Sequence, residues 1–248
     1  MAGGSIRSWA RENVDSRWAR EGDSWDFELI RIQLAAARGA EERRESLGLC
    51  LARCAPATGE YHDSYLAEKC AETILEALHF PRDAAERAAF IQGHLHLDRV
   101  REAAISEALA VKDFSRAESL ARAGIEKAER GHCRGTAEGY ARRLVEVLDA
   151  AGRKAEAEVI IEAHAIKERS LEWFKTLKKR IHEKAVWELV RERVIAAVAP
   201  LSKDFHAVIL AAEGLVERLA ELARARPALM AEHYRQIPSL RHLLLVDQ

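Results

Sequence analysis

Three places in this 248-residue sequence combine residue types that can do chemistry. The first is HLHLDR, His94 to Arg99. His94, His96 and Asp98 alternate, and alternate residues can converge on a metal ion when they leave a strand as a loop. No strand pattern lies nearby, and two His at i, i+2 on a helix point apart. The residues favour a polar junction between two helices, with Asp98 as the N-cap of the second. The second place is CLARC. Cys50 and Cys54 share a helical face, and Cys70 and His62 of the next helix can approach them as a nominal Cys3His set. All three Cys also sit in an apolar stripe, where a free thiol acts as a small hydrophobe, and packing is the preferred reading. The third is Cys133 beside His132 in the loop RGHCRGT, the thiol expected to be exposed. A nucleophile and its base usually meet in space and not as sequence neighbours, so this pair is weak. No GxSxG, Gly-rich phosphate loop, HExxH or dinucleotide fingerprint occurs. The sequence therefore predicts no catalysis, no metal and no cofactor.

The elements that must position these residues are helical. Ala, Glu, Arg and Leu dominate, and these are strong helix formers. Five Pro and 13 Gly leave little punctuation for a many-turned β fold. Hydrophobic content of 48% suits a folded chain and is too high for disorder. A net charge of −1 with 32% charged residues argues against a generally basic nucleic-acid or membrane binder. No apolar run approaches the ~20 residues needed to span a bilayer, and the start MAGGSIRSWARENV lacks the apolar core of a signal peptide. The expectation is a cytoplasmic protein with reduced thiols and no membrane partner. The Ala- and Arg-rich composition points to a bacterial source.

Periodicity places helices at Ser24 to Arg38, Glu41 to Cys54, Tyr61 to His79, and from Asp83, where Glu86 completes a capping-box pattern. Further helices follow at Leu97 to Ala110, Asp113 to Arg130, Thr136 to Ala151, Lys154 to Lys167, Ser170 to His182 and Lys184 to Ala199. A long one spans Lys203 to Ala225, and a short one follows Pro227. Residues 1–22, with Trp9 and Trp18, form an arm or short helix. Residues 23–248 form one all-α domain of antiparallel hairpins, roughly 10–12 helices in the chain.

The series contains an internal repeat. LAVKDFSRAESLARAGI aligns with LDAAGRKAEAEVIIEAHAI when Lys112 is set on Gly152. Ala117, Ala121 and Ile125 then meet Ala157, Ile161 and Ala165. A third unit pairs Phe174, Leu177 and Ile181 with Val190, Val194 and Ala197. These spacings resemble the tetratricopeptide repeat over about residues 97–199, with Lys112 and Ala185 standing where that family has a turn glycine. The resemblance implies hairpins stacked as a right-handed α-solenoid. Small residues such as Ala117, Ala121 and Gly124 would let neighbouring helices approach closely.

The resemblance also implies a ligand groove lined by exposed residues of each first helix. These are Arg99, Glu102 and Ser106, then Arg142, Glu146 and Asp149, then Lys175, Lys179 and His182. The expected function is a protein-interaction module. Arg142, Lys175 and Lys179 would accept an acidic peptide or a terminal carboxylate. Trp173 would serve as an exposed anchor, while Trp187 falls on the core stripe. The alternative is a nucleic-acid-associated protein whose basic segment 167–184 contacts phosphates. The apolar tail Leu243 to Val246 would cap the array or dock on a second copy.

Overall fold

The computed structural model describes residues 30–32, 34, 37, 40–54 and 61–225. The arm, the bounds of the Ser24 to Arg38 helix, the His62 side chain, the helix after Pro227 and the apolar tail lie outside the described residues. Every regular element among the described residues is helical. The chain divides into two compact units, Met1–Ala151 and Gly152–Gln248.

In the first unit, α1 (Ala40–Arg53) packs on α2 (Tyr61–Ala77). A 3-10 turn, Pro81–Asp83, leads into α3 (Ala84–Gly93), which packs on α4 (Asp98–Ala110). Helix α4 also packs on α2 and on α5 (Phe114–Arg130), and α5 on α6 (Arg134–Ala150). In the second unit, α7 (Lys154–Lys167) packs on α8 (Leu171–Arg180) and α9 (Lys184–Val198), and α9 on α10 (Lys203–Ala212). Helix α11 (Val216–Ala225) packs on α10.

Several of the turns between helices share one geometry. Lys112, His132 and Gly152, 20 residues apart, have φ of 60°, 55° and 76°. At the first two, the next amide reaches back five residues: Asp113 N to Ala108 O and Cys133 N to Ala128 O, each 2.8 Å. This is the Schellman closure of a helix C-terminus. Arg169 (φ 52°) repeats it, with Ser170 N on Ala165 O at 3.2 Å. A side chain in this left-handed conformation costs ~1–2 kcal/mol, so three of the turns hide behind residues that do not advertise them.

The stripe read as one helix from Lys203 to Ala225 breaks at Gly214 (φ 69°), where Leu215 N closes on Leu210 O at 2.9 Å. Periodicity ran across the break because Leu215 and Leu219 continue the apolar pattern. The capping box at Asp83 does not form: Asp83 makes no side-chain cap bond. Its carboxylate instead receives Arg43 Nη2 at 2.8 Å and Nη1 at 3.3 Å, and that charge-assisted fork outcompetes a cap. Asp113, Ser170 and Ser202 do cap, accepting from Arg116 N, Trp173 N and Phe205 N.

The small face of α5 is buried, with Ala117 and Ala121 at 0% exposure. At Gly124 a Cβ would lie 2.6 Å from the Tyr140 ring, so glycine is required there. Gly139 of α6 faces open space, with nothing within 4 Å of an added Cβ. Gly124→Ala should destabilise by about 1–3 kcal/mol through overpacking. Gly139→Ala should stabilise by about 0.5–1 kcal/mol through helix propensity. Urea unfolding of the two variants measures the contrast, and equal effects would refute the packing account.

In the second unit, both ring nitrogens of His206 are buried without a hydrogen-bond partner among the described residues. Burial, then Arg218 and Lys203, lower its pKa from 6.5. The folded state therefore holds the neutral ring while the unfolded chain takes a proton near pH 6.5. Stability from this group is complete above that pH and falls as the pH drops through the lowered folded value. His206→Phe should flatten the fall in melting temperature below pH 6.5 relative to the parent. An unchanged profile would place the titration elsewhere.

Candidate functional site

The HLHLDR segment is the polar hub of the first unit. His94 Nδ1 lies 2.8 Å from Phe90 O, and His96 Nε2 lies 3.0 Å from Cys54 O. Asp98 is the first residue of α4 and not its N-cap, which is Leu97. The cap comes from α2, whose Glu68 carboxylate accepts from Asp98 N at 2.7 Å and Arg99 N at 2.8 Å. Asp98 is thereby freed to accept from Lys127 Nζ at 2.8 Å and from the Tyr140 hydroxyl at 3.1 Å. Lys127 also donates to His96 O at 2.6 Å. Burial and then the Asp98 carboxylate push the Tyr140 phenol above its ordinary range, so it stays a neutral donor. One ring nitrogen of each His and one carboxylate oxygen of Asp98 are thus held by protein partners.

Three thiols are buried at 0% exposure: Cys50 and Cys54 on or just beyond α1, and Cys70 on α2. Cys54 Sγ donates to Ala67 O at 3.8 Å. Burial, then the neighbouring Cys70, push the Cys54 pKa up to about 12. The Cys70 thiol is raised by its hydrogen bond with Cys50 and then by burial. Among the described residues no three His, Cys, Asp or Glu side chains are placed to hold a metal ion. Cys133 is exposed in the α5–α6 turn, and its Sγ lies 3.4 Å from Gly131 O.

The residues expected to contact a partner fall in both units. Arg99 and Glu102 are exposed on α4, with their charged ends 4.0 Å apart. Arg142 is half-buried and paired with Glu138 at 2.8 Å, and Glu146 is paired with Arg143. Lys175, Lys179 and His182 are exposed in the second unit, whereas Lys178 is drawn to the buried Glu213 carboxylate at 2.9 Å. Trp173 is not an exposed anchor. It is 2% exposed and stacks on His164, with ring centroids 5.2 Å apart. Its position three residues past the Ser170 cap turns it onto α7, where a ring of that area is most stable when covered. Trp187 is core, tilted on Phe174, with its Nε1 on Glu213 at 3.1 Å.

Arg99 and Glu102 stand on the walls of two adjoining grooves in the first unit. One, of about 400 Å³, lies between Tyr65, Glu68, Lys69 and Glu72 of α2, Asp98, Arg99 and Glu102 of α4, and Gly135, Thr136 and Gly139 of α6. The other, of about 430 Å³, continues along α2 and α4 past Glu72, Glu76, Arg99, Glu102 and Ser106. Glu72, Arg99 and Glu102 border both. Hydrogen bonding from Lys69 holds the Glu72 carboxyl below its ordinary range, so it remains charged. The α2 wall lies outside the aligned repeats, but its signal was available: Tyr65, Lys69, Glu72 and Glu76 recur at helical spacing on one polar face.

Compared with protein-family models, curated proteins and solved structures, the chain matches none.

The thiol environments give a direct readout. Of the four Cys, Cys133 should react with an aromatic disulfide reagent in the native protein, and the other three only on unfolding. Cys133→Ser should abolish the native phase. Rapid reaction of two or more thiols would contradict the burial of the α1–α2 set.

Proposed function

We propose that this chain is a non-catalytic interaction module whose α2–α4–α6 groove seats an extended segment of a partner protein. The observation that carries the reading is the continuous polar channel past Glu72, Arg99 and Glu102, with the open Gly135–Gly139 face as its third side. Three neighbouring helices at ~9 Å spacing span ~20 Å, the length of about six extended residues. Walls with side-chain donors and acceptors suit a peptide main chain as well as its side chains. The resemblance to tetratricopeptide repeats adds support, because in that family the exposed first-helix residues line the ligand groove.

Contact with nucleic-acid phosphates is the second reading. It is favoured by exposed Lys175 and Lys179 one turn apart on α8. With Lys178 committed to Glu213, that stripe offers few free cations, and phosphate binding of this kind scales with their number.

Panning a random twelve-residue peptide display library against the purified protein tests the leading reading. Enriched peptides should lose binding to Gly139→Trp, which fills the groove, and keep it with Lys175→Glu/Lys179→Glu. Helical content should be unchanged in both. Failure to enrich any peptide, or equal binding to Gly139→Trp, would sink the groove assignment.

A further inference from the structure

We propose that Cys50 and Cys70 are an oxidative modification site, at which a small-molecule disulfide converts the two thiols into an internal cross-link that pins α1 to α2. Both are free thiols at 0% exposure in this structure. The two helices run antiparallel, and two contacts fix their register. At the start of α1, Arg43 donates to the carbonyl of Ala77, the last residue of α2. At the other end, Cys54 Sγ donates to Ala67 O at 3.8 Å. Counted inward from Arg43 and Ala77, Cys50 stands opposite Cys70; counted from Cys54 and Ala67, it stands opposite Ala71. Ala67 and Ala71, 1% and 0% exposed, flank Cys70, and small side chains let helix axes come close. A disulfide needs its Cα atoms within about 7 Å and its side chains turned toward each other. The close axes favour the first condition, and the hydrogen bond between the Cys50 and Cys70 thiols meets the second. Cys54, held on Ala67 O one turn away, is left out of the pair.

The step balances with a disulfide reagent. One Cys, as thiolate, attacks a sulfur of the reagent and expels one reagent thiolate, leaving a mixed disulfide. The second Cys attacks the protein sulfur of that bond, and the other reagent thiolate leaves. Two protein thiols lose two electrons and two protons, and the reagent becomes two thiols. The folded state resists this exchange, because the hydrogen bond with Cys50 and then burial keep the Cys70 thiol protonated. The bond therefore forms when α1 lifts from α2, and the redocked helices meet the pairing they already have. Because Glu68 of α2 holds the first amides of α4, the cross-link secures α1, α2 and the start of α4 together, whatever the groove binds.

Each Cys falls in its own tryptic peptide: Cys50 in 45–53, Cys54 in 54–69, Cys70 in 70–82 and Cys133 in 131–134. The test holds the full chain with oxidised glutathione in urea just below the unfolding midpoint, blocks free thiols with iodoacetamide and maps the digest without reductant. Peptides 45–53 and 70–82 should be joined, with 54–69 alkylated. After removal of urea, the oxidised protein should melt about 5–10 °C above the reduced one, since the cross-link restricts the unfolded chain. Cys50→Ala should lose both the joined peptide and the rise, as should Cys70→Ala, whereas Cys54→Ala keeps both. Joining chiefly through Cys54, glutathione left on single cysteines, or no cross-link at all would overturn the proposal. So would a bond between Cys50 and Cys70 that leaves the melting temperature unmoved or lowers it, because the fold would then not accommodate it.

Discussion

The first unit depends on the approach of α5 to α6 at Gly124. Only a missing Cβ admits the Tyr140 ring there, since an added one would lie 2.6 Å from it. With the ring seated on Gly124, its hydroxyl reaches Asp98 Oδ1 at the start of α4. The same carboxylate receives Lys127 from the last turn of α5. Three helices are thus referred to one point. The close packing removes Tyr140 from water, and the carboxylate supplies the partner that a buried phenol needs to avoid a desolvation penalty.

That arrangement has a consequence on the opposite side of α4. Asp98, bonded to Lys127 and Tyr140, is the first residue of its helix and not the cap. The cap is supplied from α2 by Glu68. A trans cap of this kind ties α2 to the first turn of α4, and so helps to set the separation of the two groove walls. Arg99 and Glu102 follow within one turn, so the hub inside and the channel outside are positioned by the same few atoms. A charge at the groove rim is in this sense coupled to a packing decision at Gly124.

Much of the helical architecture was legible because 3.6-residue periodicity and side-chain caps act locally. Periodicity places Lys154 to Lys167 with both ends as observed, and the helices called between Glu41 and Cys54, Tyr61 and His79, Leu97 and Ala151, and Ser170 and Ala199 to within about two residues at each end. What escaped were features decided by competition or by conformation alone. Asp83 had the sequence of a capping box, yet Arg43 offered its carboxylate a stronger charge-assisted partner. Lys112, His132 and Arg169 adopt the conformation that glycine usually marks; the alignment on Gly152 reached the Lys112 turn, but nothing in the sequence marked His132 or Arg169. Gly214 was the reverse case: a genuine marker overridden by an apolar pattern that continued past it. Trp173 looked available because its neighbours in sequence are charged, but burial follows the helical face and not the local composition.

The candidate site shows the same division. Arg99, Glu102 and Ser106 were reached through the alignment of repeats, which assigns them to an exposed first-helix face. Glu68, Lys69 and Glu72 were not, because α2 precedes the aligned region and no pairwise spacing connects it to α4. The link is a contact between residues 30 positions apart, and single-sequence periodicity carries no information at that range. HLHLDR is the instructive case. Its residue types fit metal binding or a helix junction, and the lack of a strand nearby already favours the junction. What the structure adds is the set of partners the motif already has. Phe90 O and Cys54 O occupy one nitrogen of each imidazole, and Lys127 and Tyr140 occupy the carboxylate. A motif tied into its own fold at these atoms fixes the start of α4, and with it the placement of Arg99 and Glu102 one turn along.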